Sequence, residues 1–431
     1  MSRMNILHVV ESYLPARHGM SEVVSQISER LAARGHLVTV ATGDDPEREE
    51  HLLRNVRVEP FQISGNEATG YRAALSEIDR YRSFLHDSQF DIVTLFAAQH
   101  WATDLAFPLL PSLSAKVVFV PTGFSGLMQP RYRKYFEAMP QRMRQMNANV
   151  FLSDTYRDAV FARRNKVHNG VLIPNGASET EFCDQGPTDL RQTFGIPEDH
   201  LLILHVGRVS GLKGHEEAID IFRRSGLSRA TLLLCSEDFA SEVRREPRRS
   251  IISQLKSTVR NLFAEPLMGP SAIREFADVV NAEREASQAV IRLASPTRQQ
   301  TVAAYQAADI FLFPSRIECS PIVLFEALAS RTPFLATDVG NAVEIAAWSG
   351  AGVIMPTRKD AAGLSWAVAE PAARLLRELA EDPTSRQRMA SDGWRAWQQR
   401  FTWDRIATEY ESLYGRLLQS DNAERSTAQG T

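Results

Sequence analysis

The chain has 431 residues, 44% of them hydrophobic, which is enough for two domains that each bury a core of their own. Its formal net charge of −3 argues against a dedicated nucleic-acid binder, which would carry a strong basic excess. Cys183, Cys235 and Cys319 are the only cysteines and form no CxxC, so neither a disulfide framework nor a zinc site is suggested and a reducing cytosol fits. Met4 to Val10 is too short for a signal core, and no apolar run approaches a membrane span, so a soluble, cytoplasmic protein is expected.

In chain order, strand-like runs alternate with helical patterns, the signature of a parallel α/β sheet with crossover helices. Residues 5–12 read as a buried strand, 21–35 as an amphipathic helix closed by Gly35, and 36–43 as the next strand. Further strands of the first half are expected at 56–63, 90–98, 115–123 and 149–154, with 170–177 as the exit from that domain. The pattern then restarts, with strands at 201–209, 229–237, 289–295, 309–315, 332–339 and 351–356. The polar stretch 238–288 reads as helical insertions, and 394–419 as an amphipathic helix or helix pair, with fraying beyond about 420. There is no solenoid repeat and no low-complexity tract.

Glu318 and Glu326, separated by seven residues, follow the strand AADIFLFPS. Ser320 suits an N-cap and Pro321 the first helical residue, which leaves the amides of Ile322 and Val323 without intrahelical acceptors. A helix start of this kind binds anions. One carboxylate before it and one a turn into it suit a ligand with hydroxyls on both sides of a phosphate, such as a nucleotide sugar. The bland alternative is a loop charge and a solvated helix residue. In HVGRVSGLKGH (205–215), Gly207 lets the backbone turn at a strand end, where Arg208 and Lys213 can neutralise a diphosphate. Without a ligand the same segment is a turn with solvated charges.

Together these segments resemble the retaining glycosyltransferases of the GT-B fold, family 4 (glycosyl transferases group 1), over residues 4 to 420. The resemblance implies two Rossmann-like domains facing across a cleft: an acceptor domain at 1–178, a nucleotide-sugar domain at 179–395 and a closing helix at 396–420 that packs back on the first. It implies transfer of a sugar from a nucleotide-sugar donor to a carbohydrate, glycolipid or other acceptor hydroxyl, with retention, in glycan, polysaccharide or glycolipid biosynthesis. Glu318 would face the transferred sugar and Glu326 the ribose, while Gly207, Arg208, Lys213 and Gly214 would hold the diphosphate and His100 would contact the sugar. Trp101 beside it would sit where substrate lies. Gly19 stands where the family has two adjacent glycines, but Met20 follows it. Ser320 and Asn341 are further departures, and the glycine-rich turn after 229–237 is missing, so Ser295 and Pro296 are the expected base partners. Thr122, Ser153 and Asp154 end neighbouring strands.

No Asp-x-Asp occurs, so no metal and no cofactor are expected. Basic clusters at 131–135, 142–144 and 157–166 read either as solvated helix faces or as a patch against an anionic acceptor or the inner face of the membrane. No nucleic-acid partner is expected. The rival from another class is a degenerate domain pair that binds a nucleotide sugar or a partner glycosyltransferase without turnover. A dehydrogenase is disfavoured because no G-x-G-x-x-G follows the first strand.

Overall fold

A computed structural model describes residues 3–87, 89–182, 190–243 and 268–428. The chain forms two units: Met1–Glu179, Cys319–Ile322 and Gln399–Thr431 make the first, Thr180–Glu318 and Val323–Gln398 the second.

In the first unit the strands are β1 (Asn5–Val9), β2 (Leu37–Gly43), β3 (Leu52–Leu53), β4 (Val56–Phe61), β5 (Ser64–Asn66), β6 (Gly70–Arg72), β7 (Ile92–Phe96), β8 (Lys116–Val120), β9 (Ala148–Phe151) and β10 (Gly170–Leu172). Eight of them form one sheet in the order β10-β9-β8-β7-β1-β2-β4-β3, parallel except for the β3–β4 edge, while β5 and β6 pair separately. The central strands are buried on both faces, as a parallel sheet covered by helices requires. The two-residue side-chain period divides them cleanly: Val93, Leu95, Val117 and Phe119 enter one core cluster, and Ile92, Phe96, Val118 and Val120 the other.

The helix Gly19–Ala33 turns Val23, Val24, Ile27 and Leu31 into the second cluster. It begins two residues before the sequence suggests, because His18 and Ser21 form a reciprocal cap. Trp403, Ile406, Tyr410, Leu413 and Tyr414 of the helix Trp403–Ala428 join the same cluster. Arg34 binds Asp404 at 2.6 Å and Glu411 at 2.8 Å, and the Tyr414 hydroxyl lies 2.6 Å from Thr94 Oγ1. The helix runs on past 420, where fraying was expected, and ends at Ala428.

The second unit contains β11 (Leu201–Val206), β12 (Ala230–Cys235), β13 (Val290–Ala294), β14 (Ile310–Phe313), β15 (Phe334–Ala336) and β16 (Gly352–Ile354) in the all-parallel order β13-β12-β11-β14-β15-β16. A hairpin of β17 (Thr357–Lys359) and β18 (Ser365–Ala367), not foreseen from the sequence, follows. Within the expected insertion lie a turn at Glu237–Val243 and a helix at Pro270–Arg284; residues 244–267, like Cys183, lie outside the described residues. In both sheets the strand order reverses at the first strand of the unit, between β1 and β7 and between β11 and β14. The carboxyl ends of the strands at such a reversal are where open parallel sheets bind ligands.

Candidate functional site

In the second unit the reversal brings together the loops after β11 and β14. Gly214 joins the first loop to the helix His215–Ser225 with φ +77, and a Cβ there would overlap the Pro314 carbonyl oxygen. Only glycine meets both demands. The close approach seats Lys213 beside the second loop, where its Nζ lies 2.5 Å from Glu318 Oε1. Ser315 Oγ donates to the same carboxylate oxygen at 2.9 Å. Lys213 and Glu318, 105 residues apart, are therefore one ion pair, about a third and an eighth exposed respectively.

Arg208 is not part of that cluster. Its side chain is two-thirds exposed and pairs with Glu237 at 2.9 Å, after β12. β11 ends before both Arg208 and Lys213, and the loop carries their side chains to different neighbours. An exposed pair of this kind is worth at most about 1 kcal/mol, so Arg208 is free to change partner. Gly207 packs against the Lys213 side-chain stem, and its amide donates to the Cys235 carbonyl at 3.1 Å. Ser295 is exposed, with its hydroxyl 3.4 Å from the Glu237 carbonyl.

The helix carrying Glu326 spans Ile322–Ala329, starting one residue later than expected, so Pro321 precedes it and Ile322 is its first residue. Such a one-residue offset is ordinary at a helix end. Ser320 is buried, and its carbonyl accepts from Asn175 Nδ2 at 2.8 Å; Ile322 and Val323 are half-buried. Glu326 is buried and held by Arg298 Nη2 at 2.6 Å, so it is not a solvated helix charge. Arg298 also forks onto Glu181 at 3.1 and 2.7 Å. Burial works against the Arg298 charge, but Glu326 and Glu181 outweigh it and hold the guanidinium above its ordinary value. Glu318 and Glu326 thus stand in two separate charge clusters. Asp338 pairs with Lys359 at 3.0 Å.

In the first unit His100 is the N-cap of the short helix Trp101–Ala106, following Ala97 and Gln99, which adopt φ +64 and +68. His100 is buried and its Nε2 lies 2.6 Å from the Phe96 carbonyl, which makes Nε2 the protonated nitrogen. Nδ1 is then an acceptor, and it is without a partner among the described residues. Burial pulls the imidazole down to about 4, partly countered by the Phe96 bond, so it is neutral at physiological pH. Trp101 is fully buried against Tyr81 and Phe61. It is a core residue, not a substrate neighbour, because the helix that His100 caps turns the next side chain inward. Gly19 is exposed with open space around its Cβ position, so nothing in the chain itself requires a glycine there. Ser153 accepts from the amides of Thr155 and Tyr156 at 3.1 and 2.9 Å, a local turn role.

Three polar residues escaped the sequence argument. Arg298 fixes Glu326. Arg316, only 2% exposed, binds Glu216, Glu217 and the Gly211 carbonyl. Asp104, buried and pushed up to about 6 by desolvation, accepts from Tyr135 at 2.7 Å, and that hydroxyl in turn accepts from the Gln99 amide at 2.9 Å. The available signal was a charged residue within a strongly apolar stretch, as in FLFPSRIE and HWATDLAF. Among the described residues no group of three or more His, Cys, Asp or Glu could hold a metal ion, and no helix is long and apolar enough to cross a membrane.

Comparisons with known proteins bear on both halves. The family model described as Glycosyltransferase Family 4 matches residues 17–180, and that described as Glycosyl transferases group 1 matches residues 281–393. The D-inositol 3-phosphate glycosyltransferase of Kineococcus radiotolerans is 30% identical over 265 residues, 59% of this chain and 53% of that protein. The enzyme of the same name from Jonesia denitrificans is 27% identical over 426 residues, 92% of this chain and 91% of its own. The chain spans about half the length of several other curated relatives it matches. Among solved structures, sucrose-phosphate synthase from Thermosynechococcus elongatus superposes with a TM-score of 0.70 at 19% identity, covering 97% of this chain and all of that one. HepE of Anabaena in complex with UDP-glucose gives 0.66 at 15%, covering 96% and 100%. Structural likeness at this identity speaks for the fold alone. With a family match in each half and parallel sheets of reversing order in both units, this chain belongs to the group 1 glycosyltransferases, family 4, and has the GT-B fold.

Proposed function

We propose that this chain transfers a sugar from a nucleotide-sugar donor to an acceptor hydroxyl, with retention at the anomeric carbon. The observation that carries it is the Gly214-locked loop, which sets the Lys213 ammonium on Glu318 at the strand-order reversal of the second unit. An ammonium has three N–H donors. One goes to Glu318, leaving two for the oxygens of a diphosphate, and the charge they meet grows as the leaving group departs. Backbone amides at the start of Ile322–Ala329 add to this. Arg208, tied only at the surface, swings onto the same phosphates. Glu326, fixed by Arg298, takes the ribose hydroxyls, Ser295 lies toward the base, and Glu318 faces the sugar. His100 Nδ1 accepts from a sugar hydroxyl. The leaving phosphate helps deprotonate the acceptor, so no protein base is needed. The membrane's inner face, met through the basic clusters at 131–135 and 157–166, is the proposed place of work.

The relatives' names give the first compounds to try: UDP-glucose as donor, after HepE, and D-inositol 3-phosphate as acceptor. Purified protein is incubated with nucleotide sugars and acceptors, nucleoside diphosphate is quantified, and the product's anomeric configuration is read by NMR. Release of diphosphate, a retained configuration and activity that survives excess chelator are expected. Lys213→Ala should weaken diphosphate binding by about 1.5–3 kcal/mol, roughly 10- to 150-fold, and slow transfer further. Tight binding of donors with no release under any acceptor would establish the non-catalytic rival instead.

A further inference from the structure

We infer that Arg316 is a positioning residue for the donor loop: it clamps residues 211–217 so that Lys213 stays on Glu318. This rests on the proposed role of Lys213. Arg316 touches the loop on both sides of that lysine. Before it, the Arg316 amide donates to the Leu212 carbonyl at 2.8 Å and Nη1 to the Gly211 carbonyl at 2.7 Å. After it, Nε donates to Glu217 Oε1 at 2.7 Å and Nη2 to Glu216. The guanidinium lies 3.8 Å from the centre of the Trp366 ring, and the Arg316 carbonyl accepts from the Ser365 amide at 2.8 Å. Two residues further on is Glu318 itself.

One planar fork therefore ties together the loop after β11, the first turn of the following helix, the loop after β14 and the β17–β18 hairpin. Other ties of the loop include the Val209 amide to Asp238 at 2.6 Å and the Ser315 hydroxyl to the Leu212 carbonyl at 3.2 Å. A lysine at 316 would keep the charge and lose the fork and the flat face that rests on Trp366. Burying a full guanidinium against two carboxylates is weak evidence of stabilisation, since hydrophobic replacements often do as well. Geometry is what this cluster supplies: it fixes both ends of a short segment, and the ammonium of Lys213 lies between them.

The test uses the full chain with Arg316→Lys and, separately, Glu217→Gln, which leaves Arg316 in place and removes the charge of one acceptor. Hydrogen exchange of the peptide spanning 207–214 is followed without ligand, with β12 as an internal reference. Calorimetry with a nucleoside diphosphate and with the unphosphorylated nucleoside follows. The clamp predicts exchange at least tenfold faster in 207–214 with β12 unchanged, about tenfold weaker diphosphate binding and unaltered nucleoside binding. Loop exchange equal to the parent in either folded variant overturns the inference, and so does acceleration spread equally over β12, which marks a residue of general stability. If Arg316→Lys does not fold, Glu217→Gln decides by the same criteria. A parent that binds no nucleoside diphosphate sinks the donor role of Lys213 while the exchange result still judges the clamp.

Discussion

His100 is chemically specified by its neighbours. The Phe96 carbonyl fixes the proton on Nε2, burial keeps the ring neutral, and what is left is a single acceptor nitrogen. His100→Ala should therefore lower kcat/KM by about 1–3 kcal/mol, the scale of one buried hydrogen-bonding group, roughly 5- to 150-fold, with diphosphate affinity unchanged in calorimetry. Normal turnover in the variant would make His100 purely structural. Because its folded pKa lies near 4 rather than 6.5, no His100 titration should shape the rate between pH 5 and 8. Its effect on stability has a definite sign. Between pH 6.5 and 4 the unfolded chain binds a proton that the folded one refuses, so stability contributed above pH 6.5 is lost as pH falls through that window. The residue types at 100, 213, 318 and 326 were legible in the sequence. Their partners were not, because Arg298 and Arg316 look like surface charges until the fold encloses them.

At the level of elements, the loop between β11 and the helix His215–Ser225 depends on one backbone conformation. Gly214→Ala asks a side chain to adopt φ +77 and to overlap the Pro314 carbonyl at once. Left-handed strain alone costs about 1–3 kcal/mol, and the overlap makes the loop move away from β14. Denaturant unfolding should show a loss of that order or more, and donor binding should fall with it as Lys213 leaves Glu318. Unchanged stability and binding would mean that the loop tolerates another path and that Gly214 does not set it. Strands were read within a few residues of their ends because buried parallel strands leave continuous apolar runs between turn residues. The edge strand β3 and the two hairpins β5–β6 and β17–β18 were missed, being only two or three residues long.

For the whole molecule, the last helix is part of the first unit's core although some 220 residues separate it from that unit's first 179. Trp403, Ile406, Tyr410, Leu413 and Tyr414 are all nearly fully buried there. At about 1.5–3 kcal/mol for each large apolar side chain, their removal matches the roughly 5–15 kcal/mol that holds a whole protein folded. A chain ending at residue 402 should thus lose the first unit's cooperative transition in a calorimetric scan; a transition kept at its parent temperature would refute this. By itself the sequence determined the α/β class, the restart of the pattern in the second half, the loops at strand ends and the carboxylate pair, all of which are local in spacing and period. Tertiary structure alone decided which charges meet: the crossover order sets β11 beside β14, and so Lys213 beside Glu318, more than 100 residues along the chain. Spacing records what a residue can do, but pairing depends on which strands become neighbours, and that is fixed only when both faces of the sheet are buried.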